Sequence, residues 1–191
     1  MQDNWVRDSH DSIKAFYAIE HTVIPKLISG RLLNIEQNEH EILLQMDVKS
    51  GIDLVRIDAT GLQGVAWRAQ WCGKHAFDTF TIRSKRNTGT PTELAKRLEQ
   101  IDKGYFYPAF TIQAYFDNKQ SNNCVSAAII RTKDLYWHIL NKPGIFEKRH
   151  SNNEFLFVHW SDLAGYVKTW TQADGATANA KGNVTKQLKI F

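Results

Sequence analysis

The alternation of hydrophobic and polar positions predicts short strands that follow an amphipathic N-terminal helix. Residues 9–28 carry apolar side chains at helical spacing, and Pro25 is expected to kink or restart that helix. Residues 40–48 alternate between apolar and polar, which predicts a first strand. Residues 53–58 are rich in β-branched side chains, and residues 62–71 continue the pattern after a turn, so both segments are predicted strands.

The second half of the chain is predicted to add a helix, further strands and a C-terminal helix. The helix is expected to open at Thr90-Pro91-Thr92-Glu93, because Thr90 and Glu93 are spaced as a capping box and Pro91 occupies the first helical position. The other predicted elements are strands at residues 79–83, 109–116 and 125–131, a short helix from Lys133, a hairpin over residues 147–159 and an amphipathic helix over residues 161–170. The predicted fold class is α+β, with a mixed central sheet and flanking helices in the order helix, three strands, helix, strand, followed by a C-terminal hairpin and helix.

The composition indicates a single, mildly basic domain. The chain has 191 residues, 42% of them hydrophobic, which suits one domain over residues 1–170 with a short extension. The formal net charge of +4 favours polyanionic partners. Cys72 and Cys124 are too few for a disulfide framework, and no segment approaches membrane-spanning length. We therefore expect a cytoplasmic protein without a membrane partner, and the oligomeric state stays open.

The C-terminal residues combine a polar segment with an apolar end. Residues 171–186 are almost wholly small or polar, so they are expected to form a flexible tether. Residues 187–191 (Gln-Leu-Lys-Ile-Phe) resemble the Gln-Leu-x-Leu-Phe motif by which bacterial replication and repair proteins bind the sliding clamp. The resemblance implies a clamp partner and a role on DNA, and the alternative is a final strand in the chain's own sheet. The residues that it assigns to clamp binding are Gln187, Leu188, Ile190 and Phe191.

A carboxylate interrupts the apolar stripe of the first predicted helix. Glu20 lies within a helical face that also carries Ile13, Tyr17, Ile24 and Leu27. A carboxylate on a core-facing surface is costly unless it is paired or binds a cation. Glu20 is therefore expected either to form an ion pair with Arg or Lys, or to serve as a metal ligand or catalytic acid, and both interpretations stay open.

Acidic and polar residues are predicted to meet at one edge of the sheet. Asp53 opens the predicted second strand, and Asp47 ends the predicted first strand. Arg68 and Gln70 share one face of the third. The turn between the second and third strands is expected to bring Asp53 opposite the far end of the strand that carries Arg68 and Gln70. Carboxylate oxygens of this kind bind a hard cation such as Mg²⁺.

This arrangement resembles the restriction-endonuclease-like, or PD-(D/E)XK, family. That family has the core order helix, three strands, helix, strand, with an aspartate opening the second strand and Glu-x-Lys in the third. Residues 51–55 (Gly-Ile-Asp-Leu-Val) match the first part, and residues 64–68 (Gly-Val-Ala-Trp-Arg) occupy the place of the second. Two positions depart from the motif, because Ala66 cannot bind metal and Arg68 replaces the lysine and cannot act as a base.

The resemblance implies a divergent, DNA-cleaving nuclease that depends on Mg²⁺ or Mn²⁺. It assigns cation binding to Glu20, Asp53 and Asp47, and catalysis to Arg68 and Gln70. Arg68 is expected to stabilise charge on a phosphate, while Gln70 orients water or the cation. The alternatives are a non-catalytic DNA- or clamp-binding protein on the same scaffold, and a small-molecule enzyme or assembly protein.

Basic residues beside the predicted site indicate contact with phosphates. Arg83, Lys85 and Arg86 form a short cationic run before the second predicted helix, and Lys96 and Arg97 are placed on that helix's exposed side. Such contacts are independent of base sequence and sensitive to salt. A solvated charged loop is the alternative.

Overall fold

The structure is a computed structural model that describes residues 2–35, 40–73, 75, 77–86, 90–142, 145–149 and 153–173. The helices are α1 (Gln2–Ile19), α2 (Ile24–Leu27), α3 (Glu41–Ser50), α4 (Glu93–Lys103) and α5 (Thr132–Asn141). The strands are β1 (Arg31–Asn34), β2 (Leu54–Asp58), β3 (Gly61–Trp71), β4 (Thr79–Lys85), β5 (Phe110–Phe116), β6 (Cys124–Arg131), β7 (Ile145–Arg149), β8 (Asn153–His159) and β9 (Lys168–Thr171), and a 3₁₀ turn spans Trp160–Leu163.

Two sheets organise these strands. The larger sheet has the order β1-β2-β3-β5-β6-β9, in which β3 and β5 are parallel and the other neighbours are antiparallel. The parallel pair is connected through α4, since parallel neighbours need a crossover. The smaller sheet has the order β4-β8-β7. The predicted α+β class with a mixed sheet and flanking helices is confirmed. The predicted order of elements is not confirmed, because α3 lies between β1 and β2, and β4 of the smaller sheet precedes α4.

Alternate side chains of β5 enter two hydrophobic cores on opposite faces of the larger sheet. Ile112 packs with Phe16 of α1 and Trp67 of β3 in the first core. Tyr115 belongs to the second core, which the smaller sheet and α5 supply. The period of two along a strand explains this division. The residues of β3 and β5 that do not face the first core therefore face β4 and α4, where the candidate site lies.

The segment predicted as the first strand, residues 40–48, is a helix, so that prediction was wrong. His40 caps α3, since its Nδ1 accepts a hydrogen bond from the backbone N–H of Ile42 at 3.3 Å. Gly51 ends α3 in the left-handed conformation, at φ 60°. Two good caps outweigh the short apolar alternation, and Ile42 is exposed on the helix surface. The first strand is instead Arg31–Asn34, which pairs with β2.

The predicted helix over residues 161–170 is also wrong. The helical turn stops at Leu163, and Gly165 reverses the chain at φ 94°. Lys168–Thr171 then pairs antiparallel with β6 as the last strand of the larger sheet, and Trp170 packs against the first core. Thr171, the first residue of the predicted tether, therefore belongs to the sheet. Residues 174–191, with the predicted clamp-binding peptide, lie outside the described residues.

The ends of two predicted helices need adjustment. The N-cap of α4 is Thr92, whose Oγ1 accepts from Ala95 N at 3.3 Å, so the predicted capping role of Thr90 and the helical position of Pro91 were wrong. The predicted first helix is divided as expected, because α1 ends at Ile19 and α2 restarts with Pro25 in its first turn, but α1 begins at Gln2 and not at residue 9.

Candidate functional site

A polar cavity of about 340 Å³ lies between the C-terminal end of α3, the first turns of α4 and strands β3, β4 and β5. Charged residues of both signs line it. Among the described residues, the acidic lining is Asp47, Asp53 and Glu93, and the basic lining is Lys49, Arg68, Arg86, Lys96 and Arg97. This excess of cations makes the cavity suited to an anionic ligand.

Asp53 is fixed at the start of β2 by the backbone of β3. Its N–H donates to Val65 O at 3.1 Å, and its carboxylate Oδ2 accepts from Trp67 N at 2.6 Å. Ile52, the preceding residue, is fully buried against Gly64, where an added Cβ would lie 2.6 Å from the Ile52 Cδ1 atom. The close approach of β2 and β3 therefore positions Asp53 at the cavity.

Arg68 lines the cavity with its guanidinium engaged by a carboxylate of α4. Its Nη2 atom donates to Glu93 Oε2, and both side chains are partly exposed. Glu93 is the first residue of α4, where the helix dipole also favours a negative charge. The sequence pattern indicated only a capping role for Glu93, and its pairing with Arg68 was not predicted.

Asp47 also lines the cavity, although it comes from α3 rather than from a strand. Burial raises the pKa of the Asp47 carboxyl above its ordinary value. A carboxylate near the C-terminal end of a helix also meets an unfavourable dipole. Asp47 and Asp53 thus line one cavity, as predicted, although Asp47 lies on a helix and not at the end of a strand.

Two of the predicted site residues lie elsewhere. Neither Glu20 nor Gln70 is among the described residues that line the cavity. Glu20 follows the end of α1, and its Oε2 lies 3.8 Å from Nε2 of His21. The Gln70 Oε1 atom accepts from Thr81 Oγ1 at 3.5 Å. The predicted apolar stripe around Glu20 was drawn wrongly, because Tyr17 is 57% exposed.

The acidic residues provide a small ligand set for a cation. The described residues contain no group of three or more His, Cys, Asp or Glu placed to hold a metal ion. Asp47 and Asp53 line the same cavity, and Ala66 stands where a third carboxylate was sought. Mg²⁺ commonly binds one or two carboxylates together with substrate phosphates and water. Asp47 and Asp53 are therefore the residues that would hold such an ion, in combination with a phosphate ligand.

The predicted DNA-binding residues divide into lining, flanking and buried groups. Arg86 and Lys96 line the cavity, and Lys85 is exposed at the end of β4. Arg83 is half-buried with its guanidinium 5.3 Å from the ring centre of Phe155, and burial lowers the pKa of Arg83. Arg83 and Lys85 therefore flank the cavity and do not line it.

The placement of Arg97 on the exposed side of α4 was wrong. Arg97 is only 5% exposed, and its Nη1 donates to Ser50 O at 2.6 Å and to Gln100 Oε1 at 2.8 Å. Gln100 Nε2 in turn donates to Lys49 O at 2.9 Å. Arg97 and Gln100 therefore satisfy the last two carbonyls of α3 and hold one wall of the cavity.

Gln113 is a further lining residue that the sequence analysis missed. It is 1% exposed on β5, directly beside Arg68 in the parallel register. The available sequence signal was a single amide among the apolar and aromatic residues 112–116. Its side chain extends the polar floor of the cavity.

Comparisons of the chain with protein-family models, with curated proteins and with solved structures found no match. Among the described residues, no helix has both the length and the apolar character that crossing a membrane requires. The candidate site therefore rests on its own geometry: an α+β domain with a cation-rich cavity at the junction of two parallel strands and their crossover helix.

Proposed function

We propose that this protein acts on DNA and binds a phosphate of the nucleic-acid backbone in the cavity. The observation that carries this proposal is the convergence of Arg68, Arg86 and Lys96 on the cavity that Asp53 also lines. Guanidinium and ammonium groups are the usual phosphate contacts of proteins, and their attraction to the backbone does not require base recognition. The flanking cations Arg83 and Lys85 extend the positive surface along β4.

The order of strands supports a scaffold of the restriction-endonuclease-like kind. In the run β1-β2-β3-β5 the first pairs are antiparallel, and β5 lies parallel to β3 after the crossover through α4. Asp53 immediately precedes the second strand of that run, and Ala66 and Arg68 lie in the third. These positions are the ones that the family motif uses.

Metal-dependent cleavage of the bound phosphodiester is a second candidate function, favoured by the presence of Asp47 and Asp53 in one cavity. These two carboxylates would hold Mg²⁺ or Mn²⁺, which would supply charge neutralisation and a more acidic water. Arg68 would donate hydrogen bonds to a non-bridging phosphate oxygen, in place of its bond to Glu93.

Clamp tethering completes the proposal. Residues 187–191 resemble a clamp-binding peptide, and the composition of residues 174–186 favours a mobile connection. A tether of this kind raises the concentration of the domain near DNA that carries the clamp, without a further contact from the domain.

Phosphate binding is tested by the salt dependence of DNA affinity. Lys96→Gln removes an exposed lining cation, so we expect weaker binding of a fluorescein-labelled duplex and a slope of log K against log salt that is smaller by about 1. Lys133→Gln is the matched control, because Lys133 is an exposed lysine of α5 that does not line the cavity.

Fluorescence anisotropy between low and moderate salt gives both quantities. If the wild-type protein binds neither duplex nor single-stranded DNA at low salt, the proposed function is wrong. If both lysine variants behave alike, the cavity is not the place of phosphate contact.

A further inference from the structure

The side-chain amide of Gln113 is buried in the cavity floor, and its nitrogen donates no described hydrogen bond. Gln113 is 1% exposed, and its Nε2 atom has no hydrogen-bond partner among the described residues. Its Oε1 atom accepts from Thr81 N at 3.4 Å. Buried amide groups in native proteins nearly always have partners, so this Nε2 group requires an acceptor that the described residues do not provide.

The orientation of this amide is fixed by chemistry. Thr81 lies on β4, an edge strand of the smaller sheet, and its backbone N–H is a donor in every protonation state. The Gln113 atom that faces Thr81 must therefore be the oxygen. The two N–H donors of Nε2 are left for a ligand, and a flipped amide would place two donors against each other.

Gln113 stands beside the guanidinium that the cavity presents. Arg68 and Gln113 are directly opposite in the parallel pair β3–β5, so their side chains leave the same face of the sheet. Both residues line the cavity. The Arg68 guanidinium already binds a carboxylate oxygen of Glu93, which lines the cavity as well.

We infer that Arg68 and Gln113 form an oxyanion-binding subsite, in which the Glu93 carboxylate occupies Arg68 until a phosphate group displaces it. The inference rests on the proposed function in taking a nucleic-acid phosphate as the ligand. A phosphate has several acceptor oxygens, so it can accept from the guanidinium and from the Gln113 amide together. The carboxylate of Glu93 is a weaker occupant, because its described hydrogen bond is to Arg68 alone.

Substitutions of Glu93 and Gln113 are therefore expected to act in opposite directions. Glu93→Gln removes the internal competitor and should strengthen phosphate binding about three- to tenfold, since a charged hydrogen-bonded contact is released for the ligand. Gln113→Glu keeps an acceptor for Thr81 N but replaces the donors with oxygen, so binding should weaken by about tenfold or more.

Matched controls separate these effects from general charge. Glu99→Gln removes one carboxylate from the same helix, where Glu99 is exposed and paired with Lys103. Gln63→Glu adds one carboxylate to β3, where the Gln63 oxygen bonds to Arg56. Neither residue lines the cavity. Both controls should change phosphate binding by less than about threefold, because distant surface charges are screened.

The experiment measures binding of inorganic phosphate by calorimetry and of labelled DNA by anisotropy, with the melting temperature of each variant as a fold control. Opposite shifts for Glu93→Gln and Gln113→Glu, beyond those of their controls, support the subsite. If Glu93→Gln matches Glu99→Gln, or Gln113→Glu matches Gln63→Glu, the subsite is wrong. If Gln113→Glu fails to fold, Gln113→Met takes its place with the same expected loss.

Failure of the subsite and failure of the proposed function give different results. A wild-type protein that binds DNA, with an affinity unaffected by either substitution, overturns the subsite and leaves DNA binding in place. A wild-type protein that binds inorganic phosphate in the expected order of variants, and binds no DNA, supports the subsite chemistry and overturns the nucleic-acid ligand. A wild-type protein that binds neither overturns both.

Discussion

Asp53 and Asp47 differ in how firmly each carboxylate is held. Asp53 is tied to the backbone of β3 through a hydrogen bond of 2.6 Å from Trp67 N, which defines its position before any ligand arrives. Asp47 is partly buried on α3, and burial raises the pKa of its carboxyl, so a nearby cation would relieve an unfavourable charge. In the proposed cation site, the pair would thus combine a fixed oxygen ligand with one that gains from cation binding.

Asp53→Asn tests whether these carboxylates bind a divalent ion. The amide oxygen can still accept from Trp67 N, so the fold should survive, while Mn²⁺ affinity in the presence of a DNA oligonucleotide should fall by about tenfold or more. The measurement is the rise in melting temperature on adding Mn²⁺, with plasmid cleavage in Mg²⁺ or Mn²⁺ read in parallel.

Asp102→Asn is the control for this test, since Asp102 is an exposed carboxylate of α4 that does not line the cavity. It should keep the metal-dependent rise of the wild type. A wild-type protein that shows neither a metal-dependent rise nor cleavage of any DNA form would leave phosphate binding as the function and exclude the nuclease activity.

For individual residues, the sequence predicted which charged side chains line the cavity better than it predicted which side chains they contact. Arg68, Arg86, Lys96 and Asp53 all reach the cavity as expected. The Glu93 contact and the Gln113 amide depend on which residues of α4 and β5 face β3, and no local pattern encodes that juxtaposition. Arg97 was misplaced because a charged residue on an amphipathic helix is usually exposed, whereas the α3 carbonyls hold it inside.

The contact between α3 and α4 forms one wall of the cavity. Arg97 donates to Ser50 O, and Gly51 allows the guanidinium to come close, because an added Cβ there would lie 2.8 Å from Arg97 Nη2. The positive charge of Arg97 also interacts favourably with the negative end of the α3 dipole. One arginine therefore donates to the last carbonyl of α3 and joins this helix to α4.

Arg97→Lys is predicted to destabilise this wall although it keeps the charge. A lysine cannot reproduce the fork of hydrogen bonds, so the free energy of unfolding should fall by about 1.5–3 kcal/mol. Urea denaturation measures the change, and DNA affinity should fall with it because the cavity loses its shape. Arg131→Lys, at an exposed arginine, should stay within about 0.5 kcal/mol. Equal stability of the two variants would contradict this role.

The elements that the sequence predicted well are those with strong local signals. The β2–β3 hairpin, the strands β5 and β6 and the β7–β8 hairpin have regular apolar patterns next to turn residues, and each is present. The helix α3 was missed because of a local effect, and the strand β9 was missed because of a partner strand that is distant in sequence. Caps overrode the alternation in α3, and pairing with β6 decided the conformation of β9.

For the whole molecule, the proposed tether and the domain should be separable. The described chain is anchored up to β9, which pairs with β6 at the edge of the larger sheet. Residues 187–191 are proposed to bind the sliding clamp rather than the chain's own sheet. Clamp binding and pairing with the chain's own sheet predict different effects of truncation on clamp affinity and on melting temperature.

Deletion of residues 187–191 is expected to abolish binding to a purified bacterial sliding clamp and to leave the melting temperature and DNA affinity unchanged. Surface plasmon resonance with immobilised clamp gives the first quantity, and thermal denaturation and anisotropy give the others. The double substitution Leu188→Ala and Phe191→Ala should reproduce the loss, because apolar side chains carry such peptide contacts. A fall in melting temperature with clamp binding retained would identify the tail as part of the domain.

The tight fit of Gly64 against Ile52 couples two positions that are twelve residues apart along the chain. Ile52 is fully buried, so its side chain has no room to retreat from a methyl group at position 64. Homologues that carry alanine at position 64 should therefore carry a smaller residue at position 52. Such covariation among homologues would indicate that the segment bearing Asp53 must pack closely against β3.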